Sequence, residues 1–129
     1  MRTTIPWWAF WIPSLATAAL IGGLSHQPDL GLPDRFPDWL AHAVEYGFFV
    51  LTLVFALTRG FEPSRRRWTA LAVAVVLASL YGITDEWHQG FVGRDVAVSD
   101  WIADTIGALM MATALAWLWR RMAASEPRV

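Results

Sequence analysis

Four apolar stretches, residues 7–24, 39–58, 68–84 and 101–119, take up most of this 129-residue chain. Each approaches the ~20 residues with which an α-helix crosses a hydrocarbon core of ~30 Å. Lipid offers no partner to backbone N–H and C=O groups, so a spanning segment must satisfy them internally, as a helix does. The spacing predicts an all-α fold: an integral membrane bundle of four transmembrane helices. Glu45 and Asp104 interrupt the apolar stretches, but near segment ends, where hydration is easier.

Composition agrees. Hydrophobic residues make up 56% of the chain and charged residues 16%, against about a quarter charged in soluble domains. Trp7, Trp8, Trp39, Trp68, Trp87, Trp101, Trp117 and Trp119 stand at or beside segment ends, where an indole sits with its ring inward and its N–H at the headgroups. This bracketing disfavours the alternative of a soluble bundle with a tryptophan-rich core. The first stretch is longer than a signal-peptide h-region of about 7–15 residues and no small-x-small site follows it, so it is expected to remain as an uncleaved helix. A net charge of −1 argues against nucleic acid as a partner, because phosphate binding needs clustered positive charge. With no cysteine, disulfides, thiolate metal sites and thiol nucleophiles are excluded.

Arginine supplies every basic side chain. Arg59, Arg65, Arg66 and Arg67 lie between the second and third stretches, Arg120, Arg121 and Arg128 follow the fourth, and Arg2 precedes the first. The other two connections carry only Arg35 and Arg94, among acids. The positive-inside rule therefore predicts cytoplasmic N- and C-termini and outward-facing first and third connections. Residues 1–122 are expected to form the membrane domain and 123–129 a polar tail. Small residues recur at four-residue spacing as Ala70, Ala74, Ala78 and Gly82, and as Ala108, Ala112 and Ala116, with Ala18/Gly22, Ala43/Gly47 and Ala103/Gly107 as shorter versions. Such ridges let helix backbones approach closely in lipid.

The polar residues are concentrated. His42, Glu45 and Tyr46 open the second stretch; Asp85, Glu86, His88 and Gln89 follow the third; Arg94, Asp100 and Asp104 lead into the fourth; Ser25, His26 and Gln27 close the first. All fall on the face predicted to be outer. An ionisable group at membrane depth costs ~2.5–3.5 kcal/mol on insertion scales and normally points into a bundle or a watered cavity, so several at one level predict a shared polar pocket. Three explanations stay open. The pocket can be an ion-pair network, Arg94 with Asp100 or Asp104 and His42 with Glu45, that pins loops to helix ends. It can hold a metal on His42, Glu45, Asp85, Glu86 and His88, although no His-Glu-x-x-His motif is present. It can perform general acid–base chemistry through Glu45 or Glu86 with His42 or His88. No serine nucleophile elbow or phosphate-cradling glycine loop is visible.

Four runs, SHQP at 25–28, LAHAVEYG at 40–47, TDEWHQGFVGR at 84–94 and DWIADTIG at 100–107, together resemble the VanZ-like family of small bacterial membrane proteins, named for a member associated with teicoplanin resistance. The second matches that family's His-x-x-x-Tyr stretch and the third its Asp-Glu-x-x-Gln…Arg signature. The resemblance implies a functional set of His42, Tyr46, Asp85, Glu86, Gln89, Arg94, Asp100 and Asp104. Combined with the residues themselves, it gives the expectation of a multi-pass protein of a bacterial inner or plasma membrane. His42, Glu45, Asp85 and Glu86 would form the polar centre. Tyr46, His88, Gln89, Arg94, Asp100 and Asp104 would contact a lipid-linked or envelope substrate, with Arg94 anchoring an anionic group and Asp104 holding that arginine or a histidine. The competing expectation is a non-catalytic accessory protein whose cluster docks a membrane partner or stabilises the fold. Cofactor identity is left open.

Overall fold

In the computed structural model, which describes residues 5–27, 37–62 and 66–125, Pro13 decides how the first helix begins. Proline has no N–H to continue an α-helical ladder backwards. The preceding turn, Trp7–Trp11, is accordingly 3-10, closed by the Ile12 N–H on the Ala9 carbonyl, and the α-helix α1 runs Ile12–Ser25 with the proline in its first turn. Then follow α2, Asp38–Leu57, α3, Arg67–Gln89, and α4, Val98–Ser125. No strand occurs among the described residues, and all four helical segments are long and apolar enough to cross a membrane.

Two boundaries differ from the apolar pattern. α3 continues past residue 84 to Gln89, so Asp85, Glu86, His88 and Gln89 belong to its last turns, not to a loop, and α4 begins at Val98, ahead of Asp100. The helix continues through these polar side chains because Asp85 is bonded by Ser25 of α1 and Glu86 by the Ala97 N–H instead of going to water, which a hydropathy limit cannot register. α4 also extends to Ser125, into the expected tail. Arg2, Arg35, Arg65 and Arg128, used for the charge pattern, lie outside the described residues.

α2 is the central element. It packs on α1, α3 and α4, while α1 and α4 do not touch among the described residues. Tyr46, Val50 and Val54 on α2 are fully buried, as are Ala74 and Ala78 on α3 and Ala108 on α4. The α3 ridge from Ala70 to Gly82 faces inward throughout. The closest approach is the α2–α4 seam, where a Cβ on Gly107 would overlap the Ala43 carbonyl, and one on Gly47 would lie 3.2 Å from the Gly107 oxygen. Polar ties reinforce the packing: Tyr81 Oη donates to the Ala18 carbonyl (2.7 Å), Ser14 Oγ to that of Thr52 (2.9 Å), and Trp101 Nε1 to that of Ser79 (3.1 Å). Interhelical bonds of this kind contribute about 0.6 kcal/mol each in membrane proteins.

These contacts make α1 parallel to α3 and α2 parallel to α4, and they give the bundle two chemically distinct ends. At one, Trp68 packs edge-on against Trp119 at 6.1 Å, with Arg67 and Arg120 over the Trp68 ring and Arg121 over Trp117. Trp119 is buried there and Trp101 is half-buried, so these two of the bracketing tryptophans turn into the bundle while the others are exposed. The opposite end collects the acids and histidines.

Candidate functional site

The carboxyl ends of α1 and α3 and the amino ends of α2 and α4 converge at the acidic end. Asp38 and Asp100 occupy the first turns of α2 and α4, where the helix dipole favours a negative charge. One helical turn on, His42 and Asp104 face each other: His42 Nδ1 lies 2.9 Å from Asp104 Oδ1, and Nε2 lies 3.8 Å from Asp100 Oδ2. Asp100 and Asp104, four residues apart, therefore share the helix face that the spacing predicted. Asp104 is fully buried and His42 nearly so.

α3 contributes Glu86. Its Oε2 accepts the Ala97 backbone N–H at 2.9 Å, tying the start of the fourth helix to the end of the third. One ring nitrogen of His42 and one carboxylate oxygen each from Glu86 and Asp104 lie within 4.8 Å of one another; Asp38, His42 and Asp100 form a second such set nearer the surface. Three polar atoms of this region are buried without a hydrogen-bond partner among the described residues: Glu86 Oε1, Asp104 Oδ2 and Tyr46 Oη. Gly82 makes room for Asp104, since a Cβ there would stand 2.8 Å from Oδ2.

A second group sits against α1. Ser25 Oγ donates to Asp85 Oδ2 (2.7 Å), Gln89 Nε2 donates to the same oxygen (3.3 Å), and His26 Nδ1 lies 3.3 Å from His88 Nε2 with the rings stacked. Gln89 Oε1 is a further buried atom without a partner.

The expected residues thus divide. His42, Glu86, Asp100 and Asp104 come together; Asp85 pairs with Ser25 of α1 and with Gln89 of its own helix; His88 meets His26 and not His42. Glu45 is half-buried and does not pair with His42, whose partners are the two aspartates of α4. The correction has a simple cause: His42 points into the α2–α4 seam, and Glu45 lies to one side of it. Arg94 forms no ion pair with Asp100 or Asp104 among the described residues; its backbone N–H caps α3 by donating to the Gln89 carbonyl at 3.1 Å. Of the five metal ligands considered from sequence, only His42 and Glu86 fall in a ligand set, and Asp104 joins them. Asp38 and Gly82 were not singled out for the site. The i, i+4 spacing from Asp38 to His42 could have flagged the first, whereas nothing in the α3 ridge marked Gly82 as the residue beneath a carboxylate.

A four-helix membrane bundle with a buried imidazole–carboxylate cluster at one end is the class of protein that fold and site define. The family model for VanZ/LLP1 matches residues 32–120, and the chain belongs to that family. The matched stretch contains every residue of the cluster around His42 but not α1 or Ser25. No curated protein and no solved structure matches the chain.

Proposed function

We propose that this VanZ-family protein binds, and acts on, the polar head of a lipid-linked cell-envelope substrate at the outer face of a bacterial inner or plasma membrane. One observation carries this reading: a long apolar groove follows α2 and α4, the helices that carry His42, Asp100 and Asp104, and reaches the level of those residues. The groove, of about 820 Å³, follows the α2–α4 seam between Trp39, Ala43 and Phe48 on one wall and Ala103, Ile106 and Met110 on the other. Ala43 adjoins His42 and Ala103 adjoins Asp104 in the chain. From Ser99 to Ala114, two of its lining residues, the groove is about 22 Å long at 1.5 Å per residue, a length suited to an acyl or prenyl tail. A tail lying there sets its headgroup at the acidic end of the bundle, where Asp38 and Asp100 open α2 and α4. His42, oriented by Asp104, is equipped for proton transfer with Glu86, Glu45 or Asp85; Arg94 and His88, both half-buried, are the proposed contacts for an anionic or hydroxylated headgroup, while Tyr46 and Gln89 are buried in the bundle. The family name ties the proposal to glycopeptide action on the envelope, with teicoplanin susceptibility as its readout.

A non-catalytic accessory role has support of its own in the Ser25–Asp85–Gln89 and Glu86–Ala97 contacts, which fasten helix ends together. Alanine at His42, Glu86 and Arg94 separates the two in a teicoplanin-sensitive bacterial host. Altered susceptibility at normal membrane abundance supports the site. Loss of abundance alone supports the fastening network.

A further inference from the structure

Four carboxylates, from Asp38, Glu86, Asp100 and Asp104, surround the single imidazole of His42. Among the described residues no arginine pairs with any of them. One protonated imidazole balances at most one of these charges, and a carboxylate removed from water without a counter-charge is costly. The two buried members also present unused oxygens, Asp104 Oδ2 and Glu86 Oε1, each with its sister oxygen already engaged by His42 or Ala97. A buried acceptor left unmatched costs roughly 1–3 kcal/mol, and these two lie at one level of the bundle, on α4 and α3, beside a nitrogen on α2.

We propose that His42, Glu86 and Asp104 form a binding site for one divalent cation. Ligands on a single ion with bonds of ~2.0–2.2 Å stand about 2.8–3.1 Å apart in octahedral and about 3.3–3.6 Å apart in tetrahedral geometry, and the 2.9 Å between His42 Nδ1 and Asp104 Oδ1 falls in the first range. The Glu86 oxygen, within 4.8 Å of both, reaches the same point by side-chain rotation. One imidazole and two carboxylates form a mixed nitrogen–oxygen donor set that suits zinc or manganese, and three protein ligands leave positions open for water or a substrate oxygen. Asp100 and Asp38, half-buried and exposed respectively, line the approach from the bundle end and draw a cation inward. The ion also cross-links α2, α3 and α4 at the level where their ends would otherwise splay. This site is independent of the lipid-linked substrate proposed above: an ion can be bound whether or not the protein acts on the envelope.

The test uses the full chain in detergent, stripped with a chelator and then equilibrated with Zn²⁺ or Mn²⁺, the bound metal being measured by elemental analysis. One equivalent per chain is expected for the wild type. E86Q and D104N, which remove charge but keep side-chain shape, are expected to weaken binding at least tenfold, whereas H26A leaves it unchanged. Absence of binding by the folded wild type overturns the proposal, and so does wild-type binding by E86Q and D104N. Binding lost in H26A but kept in E86Q overturns it by locating the ion on the His26–His88 pair. A readout independent of any variant comes from melting the wild type: the saturating ion raises its melting temperature and chelator reverses the rise, and no rise overturns the site.

Discussion

Asp104 has no accessible surface, accepts a bond from His42 on one oxygen, and holds the other beside Gly82 with no hydrogen-bond partner among the described residues. The other aspartate at the imidazole, Asp100, stands 3.8 Å from Nε2, beyond hydrogen-bond distance, so Asp104 holds the one side-chain hydrogen bond that His42 makes among the described residues. Asp104→Ala therefore leaves His42 stranded in the seam and is expected to destabilise the bundle by about 3–5 kcal/mol, the usual cost of breaking a buried pair from one side. Arg94→Ala, which removes no ion pair seen among the described residues, should change stability by about 0.5 kcal/mol or less. Unfolding in detergent micelles, followed by circular dichroism, compares the two. Sequence put both residues in one polar group but could not rank them. The hydropathy of an aspartate is the same at a loop and inside a seam; what separates the two residues is the helix register that turns Asp104 onto His42, whereas Arg94 lies in the connection between α3 and α4.

Among the elements, the α2–α4 seam has the least slack. A Cβ at Gly107 would press on the Ala43 backbone, whereas one at Gly23 on α1 would meet nothing within 4 Å. Gly107→Ala should destabilise by about 1–3 kcal/mol through overpacking, while Gly23→Ala should be neutral or stabilise by up to about 1 kcal/mol through helix propensity. Opposite signs in the same unfolding assay are the expected result. Much of this architecture was legible beforehand: the spans from their length, and the inward face of α3 from Ala70, Ala74, Ala78 and Gly82. The 3-10 start of the first helix was written in Pro13 yet went unread, because the missing N–H acts on the preceding turn and not at the proline. The continuation of α3 through Gln89 was hidden for a different reason. Polarity marks the end of a span only when polar side chains go to water, and here Asp85 and Glu86 go to Ser25 and Ala97.

At the scale of the whole molecule, the indole–guanidinium end and the acid–histidine end give the bundle a chemical polarity along its axis. The arginine distribution predicts which end faces the cytoplasm, and the absence of cysteine makes a direct test clean. A cysteine at Asp95 or Ser99 should react with a membrane-impermeant maleimide on intact cells, and one at Glu62 or Ala124 only after lysis; the reverse pattern would invert the orientation and move the proposed site to the cytosol. The central position of α2 has a temporal consequence. His42 and Asp104 are separated by 62 residues, which a ribosome adding ~5–20 residues per second needs roughly 3–12 s to make. For that interval the nascent second helix holds an imidazole without its acceptor and the flank at Gly47 without its mate. Its passage into the bilayer is therefore provisional until the last helix emerges, and whatever shelters newly made segments must keep hold of this one longest.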